Sequence, residues 1–189
     1  MKARRTALLV HGMGSNKRWW DPLQDSLQAI GIEPQPLSLS SLEDDGPEAW
    51  CREVRHHTGQ KPLVLLMGHS LGAAVCLEVA RTAPVAGVFL LALPPFFADF
   101  SPAPPPATGL SKAASARATS FLKTTCARAS EITVECVHFV GSADPWVPVE
   151  QARRFPFRLV VIPGVGHGLN RSSVFQERLV HQLAVHRFC

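Results

Sequence analysis

Leu63-Val64-Leu65-Leu66-Met67-Gly68-His69-Ser70-Leu71-Gly72 changes character halfway along. Five bulky apolar residues suit a strand buried on both faces. Two glycines then bracket a serine, and an alanine-rich, helix-prone segment follows at once. Strand, sharp turn and helix with a serine at the apex is the setting that gives a G-x-S-x-G motif its meaning. Such a turn forces Ser70 into a strained backbone conformation and lifts its hydroxyl clear of the sheet. Gly68 and Gly72 leave room for neighbouring elements to come close. The new helix aims its first N–H groups and positive dipole end at the same spot.

The same alternation extends in both directions. Upstream, Thr6–Val10 reads as a buried strand that stops at His11-Gly12-Met13-Gly14-Ser15-Asn16. Asp21-Pro22 starts a helix carrying Leu23, Leu27 and Ile30, and Gly31 closes it. Ile32–Leu39 is a second strand, and Pro34 and Pro36 put it at the sheet edge. Gly46–His57 is a second helix with Trp50 and Val54 on one face. Downstream, Leu71–Ala83 is the helix after the turn, ended by Pro84, and Val85–Leu93 is a fourth strand. Pro94–Pro106, rich in proline with Phe96, Phe97 and Phe100, reads as a loop over the site face. Ser111–Arg128 has helix-compatible composition. Strands Ile132–Val140 and Phe157–Ile162 flank the loop Gly141–Pro148 and the short helix Val149–Arg154. The loop Pro163–Gly168 and the helix Ser172–His186 follow, with Val174, Leu179, Leu183 and Val185 expected on the apolar side of that helix.

Six strand-like runs that mostly alternate with helices imply βα units, a mostly parallel sheet and right-handed crossovers. Residues 1–189 are expected to form one domain, with a short proline-rich lid region around 94–115. The hydrophobic fraction of 46% and charged fraction of 18% are those of a soluble globular chain. A formal charge of +4, carried by scattered basic residues, argues against nucleic-acid binding, which needs a clustered stripe. Five cysteines without paired spacing suit a reducing, cytoplasmic setting. The run Ala7–Val10 is too short for a signal-peptide core, and no segment approaches the roughly 20 apolar residues of a membrane span. No metal or other cofactor is expected.

Open α/β sheets place ligands beyond the carboxyl ends of their strands. The loops there hold one candidate for each part of an acyl-transfer site. Ser70 is the nucleophile, His167 the base that takes its proton, and Asp144 the acid that holds the histidine tautomer. Asp99 and Glu150 are rivals for the acidic role. His11 and His69 are expected to be structural, and His56, His57, His181 and His186 to lie at the surface. Trp19, Trp20, Phe96, Phe97 and Trp146 either line an acyl pocket or pack the core and loops.

In these motifs the chain resembles small α/β-hydrolases, most of all the retinoblastoma-binding serine hydrolases and their bacterial relatives. The residues concerned are His11-Gly12 with Ser15-Asn16 and a tryptophan, Gly68–Gly72, Gly141–Pro148, and Gly166-His167. The order Ser, Asp, His is that of α/β-hydrolases. The resemblance implies a compact sheet of about six strands with helices on both faces, lacking the first two strands of larger relatives. It also implies an oxyanion hole made by the backbone N–H of Leu71 and that of Met13, with Gly12 as the alternative to Met13.

The expected activity is cleavage of a carboxylic ester through an acyl-enzyme, in the carboxylesterase manner. An acyl thioesterase is the alternative. A protein-binding module on a hydrolase scaffold with little catalysis is the second, and a protein partner has no support in the sequence. Dehalogenase and epoxide hydrolase chemistry is disfavoured, since those relatives place an aspartate where Ser70 stands. The substrate is expected to be a small molecule with a short or medium acyl group.

Overall fold

The six strands among the described residues all run in the same direction. The computed structural model describes residues 5–39, 45–61, 64–102 and 111–185. The strands are β1 Arg5–Val10, β2 Ile32–Pro36, β3 Val64–His69, β4 Gly87–Leu91, β5 Cys136–Gly141 and β6 Arg158–Ile162. They form one parallel sheet in the order β2-β1-β3-β4-β5-β6. The helices are α1 Asp21–Ala29, α2 Pro47–Thr58, α3 Leu71–Ala80, α4 Lys112–Ala127, α5 Val149–Ala152 and α6 Ser173–Val185. Leu63, positions 103–110 of the proline-rich segment, His186 and Cys189 lie outside the described residues.

Strand side chains alternate between two apolar layers because successive Cβ atoms point to opposite faces. Leu8, Val10, Leu66, Val88 and Leu90 pack with Trp50 and Val54 of α2, Val75 and Val79 of α3, and Phe121 and Leu122 of α4. Ala7, Leu9, Leu65, Met67, Phe89 and Leu91 pack with Leu23 and Leu27 of α1, and with Phe175, Leu179 and Leu183 of α6. Helices therefore cover both faces, which explains why the inner strands β1, β3, β4 and β5 are buried along nearly their whole length. The two prolines of β2 do sit on an edge, opposite Ala7 and Leu9 of β1. An edge strand has one side without a ladder, so a missing N–H is tolerated there.

Several boundaries differ from the sequence expectation. The second strand ends at Pro36 rather than Leu39, although the Leu37 N–H still donates to the Leu9 carbonyl at 3.0 Å. The fourth strand is confined to Gly87–Leu91 within the expected Val85–Leu93. The fifth begins at Cys136, not Ile132, because Ala129–Glu131 forms a 3-10 turn and pairing with β4 starts at Val88 opposite Cys136. The helix after the elbow ends at Ala80, not Ala83. Pro84 bars its predecessor from helical angles, and Arg81–Ala83 close the helix with turn hydrogen bonds instead. Lys17–Trp20, before α1, is a 3-10 turn. On α6, Val174 and Val185 face solvent at 44% and 50% exposure, and Phe175 takes the buried role expected of them. One short antiparallel bridge, Phe97 to Phe100, shapes the described part of the proline-rich segment.

Candidate active site

Because the strands are parallel, the loops after β1, β3, β5 and β6 emerge on one side. The loop after β3 carries Ser70 at φ 53°, ψ −120°, a left-handed backbone rarely adopted by a side-chain-bearing residue. The turn is tied down by the Ser70 N–H, which donates to the Leu91 carbonyl at 2.9 Å. A methyl group on Gly68 would collide with the backbone of Gly72, and one on Gly72 with the carbonyls of His11 and Val10. The glycines of the motif are thus required by close approach, as the sequence suggested. Leu71 opens α3, and N–H groups of a first helical turn have no partner inside their own helix.

Asp144 follows β5 in a turn that it holds with its own side chain. Its Oδ1 accepts the N–H groups of Trp146 at 2.9 Å and Val147 at 3.1 Å. Its Oδ2 lies 2.8 Å from His167 Nδ1. The Asp144 side chain is fully buried and that of His167 is 15% exposed. Burial pushes the Asp144 carboxyl up. The hydrogen bond and charge of His167 and the two backbone donors outweigh it and hold the carboxyl below its usual range. An ionised carboxylate only accepts, so His167 carries its proton on Nδ1 and turns a lone pair outward at Nε2. No hydrogen bond joins Nε2 to Ser70 Oγ among the described residues. That contact in hydrolase sites is often loose without substrate.

The loop after β1 lies against Ser70: a methyl group on Gly12 would stand 3.1 Å from Ser70 Cβ. His11 Nε2 accepts the Leu39 N–H at 3.3 Å, which leaves Nδ1–H to donate to the Gly12 carbonyl at 2.9 Å. That fixes the Gly12–Met13 peptide. Since the N–H of a trans peptide points opposite to its carbonyl, the Met13 N–H is turned away from His11. Met13 itself is half-buried.

The rival acids are engaged elsewhere. Asp99 pairs with Arg154 at 2.7 Å and is 71% exposed, and Glu150 lies 3.6 Å from Arg153 at 83% exposed. The aromatic candidates separate into two groups. Trp146 meets the His167 ring edge-to-face at 4.7 Å, and Trp19 stacks on His69 at 4.1 Å. Phe97 instead packs on Phe155 at 5.1 Å beneath the Arg154 guanidinium, and Phe96 is half-buried against the α2–α4 layer. Cys51, Cys76, Cys126 and Cys136 are buried and unpaired. Burial pushes their thiols up, Cys51 and Cys136 to about 12 and Cys126 to about 11, so none is an activated nucleophile. Among the described residues, no three His, Cys, Asp or Glu side chains are placed to hold a metal ion, and no helix is long and apolar enough to cross a membrane.

Sequence reasoning passes over His138, and it expects His69 to be structural without naming a partner for it. His138 on β5 accepts the Leu93 N–H at 3.2 Å, and His69 donates from Nε2 to the His167 carbonyl at 3.1 Å. Burial pushes both pKa values down to about 3, aided at His69 by the charge of His167. An unfolded histidine titrates near about 6.5. Between pH 6.5 and 3 the unfolded chain therefore binds more protons than the folded one. Stability is complete above pH 6.5 and falls as pH drops below it, by up to about 1.4 kcal/mol per pH unit for each histidine. Urea unfolding at pH 7 and pH 5 should show this loss, and equal midpoints would contradict it.

Residues 7–128 match the profile of the alpha/beta hydrolase family. No curated protein sequence matches the chain. Among solved structures, a monoacylglycerol lipase from Paleococcus ferrophilus superposes with a TM-score of 0.69 at 16% identity, covering 96% of this chain and 94% of its own. A carboxylesterase from Nitrososphaera gargenis gives 0.72 at 14% identity, covering 98% and 92%. The thioesterase domain from the curacin biosynthetic pathway gives 0.69 at 14%, covering 96% and 91%. At such identities the likeness concerns the fold. The family match carries further, since it runs from β1 through the elbow to the end of α4, and by it the chain belongs to the α/β-hydrolase family.

Proposed function

We propose that the chain is a serine hydrolase that cleaves carboxylic esters through an acyl-enzyme. The observation that carries this reading is the Asp144–His167 hydrogen bond of 2.8 Å, beside a serine held at positive φ on the elbow. In the proposed reaction Ser70 Oγ attacks the ester carbonyl and gives its proton to His167 Nε2. Asp144 offsets the charge of the imidazolium through Nδ1–H. The N–H groups of Leu71 and Met13 hold the oxygen that becomes negative. One donor of this kind is worth about 10²–10³ in rate. His167 then returns the proton to the departing alcohol. Water, activated by the same histidine, releases the acid and restores Ser70.

Thioesters fit the same steps, with a thiol as leaving group. Four buried free thiols are compatible with a reducing compartment and support a cytoplasmic setting. The test is a panel of oxygen esters and acyl-CoA thioesters of increasing chain length, with Ser70→Ala as the blank. The reading expects serine-dependent turnover of short and medium acyl esters. Turnover of thioesters alone would move it to a thioesterase. No serine-dependent turnover of either would overturn it.

A further inference from the structure

We infer that His69, the residue before the nucleophile, is a positioning residue that holds the catalytic base in place through its backbone. The inference rests on the reading of Ser70 and His167 given above. His69 Nε2 lies 3.1 Å from the His167 carbonyl, 98 positions away in sequence. A carbonyl can only accept, so Nε2 carries the proton and His69 donates. The same carbonyl accepts the Leu169 N–H at 3.2 Å. His167 is therefore gripped at two ends. Asp144 holds its ring at Nδ1, and His69 holds its main chain. With both fixed, rotation of the ring about the Cα–Cβ bond is restricted, and Nε2 keeps its aim.

The donor is itself held. The Trp19 ring stacks on His69 with centroids 4.1 Å apart and planes 17° from parallel. Asn170 Nδ2, three residues after His167, donates to the Trp19 carbonyl, and the Asn170 carbonyl accepts from Gln176 Nε2 at 3.2 Å. Contacts thus close a ring from His69 through Trp19 and Asn170 back to the His167 loop. His69 Nδ1 has no hydrogen-bond partner among the described residues and faces Gly12, where a methyl group would come within 3.0 Å of it. The imidazole is thereby committed to one donor and one recipient. The two rings lie 4.8 Å apart. A neutral His69 leaves the imidazolium that forms on His167 without a like charge beside it. Because His69 is covalently next to Ser70, nucleophile and base move as one unit. Misplacing a catalytic group by about 1 Å can cost 10²-fold in rate.

The test compares two amides that differ by one methylene. The glutamine amide in His69→Gln reaches about as far as Nε2 and donates, but cannot take up a proton as a base. The amide in His69→Asn is too short to reach the carbonyl. We expect His69→Asn to lose about 10²-fold in kcat with KM within about twofold, and to slow fluorophosphonate labelling of Ser70 in step. His69→Gln should restore most of the lost kcat with an unchanged pH profile. Thermal unfolding of both variants separates misfolding from misplacement. His69→Asn with wild-type kcat would overturn the inference, as would His69→Gln as impaired as His69→Asn while equally well folded. Wild-type protein that does not label at Ser70 would overturn the serine-hydrolase reading and this inference together. Normal wild-type labelling with no effect in His69→Asn would overturn this inference alone.

Discussion

Ser70→Ala is expected to lower kcat about 10⁶-fold on any ester the wild-type protein cleaves, because in the proposed reaction the acyl-enzyme forms on Ser70 alone. The loss should be one of chemistry and not of folding. Ser70 is half-buried, and the turn is held by backbone groups, the Ser70 N–H to the Leu91 carbonyl and the Ala73 N–H to the Ser70 carbonyl. Alanine keeps those bonds and also keeps the cost of φ 53°. Ser70→Gly separates the two effects. It is as inactive as the alanine variant, yet glycine adopts positive φ without strain, so it should be more stable than Ser70→Ala by about 1 kcal/mol. Stopped-assay kinetics with both variants, alongside chemical denaturation, checks the pair. Residual serine-independent turnover within about 100-fold of wild type would show that another group does the chemistry.

The second large effect falls on the proposed acid. Asp144→Asn should lower kcat/KM about 10⁴-fold with little change in stability. Asparagine can still accept the Trp146 and Val147 N–H groups at Oδ1, so the turn survives. What changes is the group facing His167 Nδ1. A carboxylate oxygen accepts and fixes the proton there, whereas an amide N–H donates and drives the proton to Nε2. The base would then offer Ser70 a donor in place of a lone pair. Asp99→Asn is the matched control. Its carboxylate is exposed and paired with Arg154, so hydrolysis should remain near wild type. A loss at Asp99 equal to that at Asp144 would return the earlier rival to the acidic role.

Much of the candidate site was legible because its parts are local signals placed at strand ends. The elbow announces itself in Gly68–Gly72. Asp144-Pro145 and Gly166-His167 stand in loops that follow apolar strands. Pro34 and Pro36 marked the sheet edge correctly, since a missing N–H has a direct consequence for pairing. What escaped was long-range or conformational. Nothing in the spacing of His69 and His167 reveals a hydrogen bond across 98 residues. His11 and His69 were expected to be structural, but which carbonyl each one holds depends on how two loops meet. Ala92, at φ 50° where the chain leaves β4 for the proline-rich segment, carries no glycine to mark its backbone. On α6 the apolar residues do not share one stripe, so hydropathy alone could not tell buried Phe175 from exposed Val174. The start of β5 was misplaced for a related reason. Ile132 and Val134 are apolar and half-buried against the α2–α4 layer, yet strand formation waits for a partner at Val88.

The central claim is that Ser70 becomes covalently acylated with His167 as its base. It is tested most directly by treating folded protein with a fluorophosphonate and mapping the modified peptide by mass spectrometry, for wild type, Ser70→Ala and His167→Ala. The account predicts one adduct per chain on Ser70 in the wild type, none in Ser70→Ala, and labelling slowed by orders of magnitude in His167→Ala. An unlabelled wild-type protein, an adduct on another residue, or labelling at Ser70 that is indifferent to the loss of His167 would contradict it.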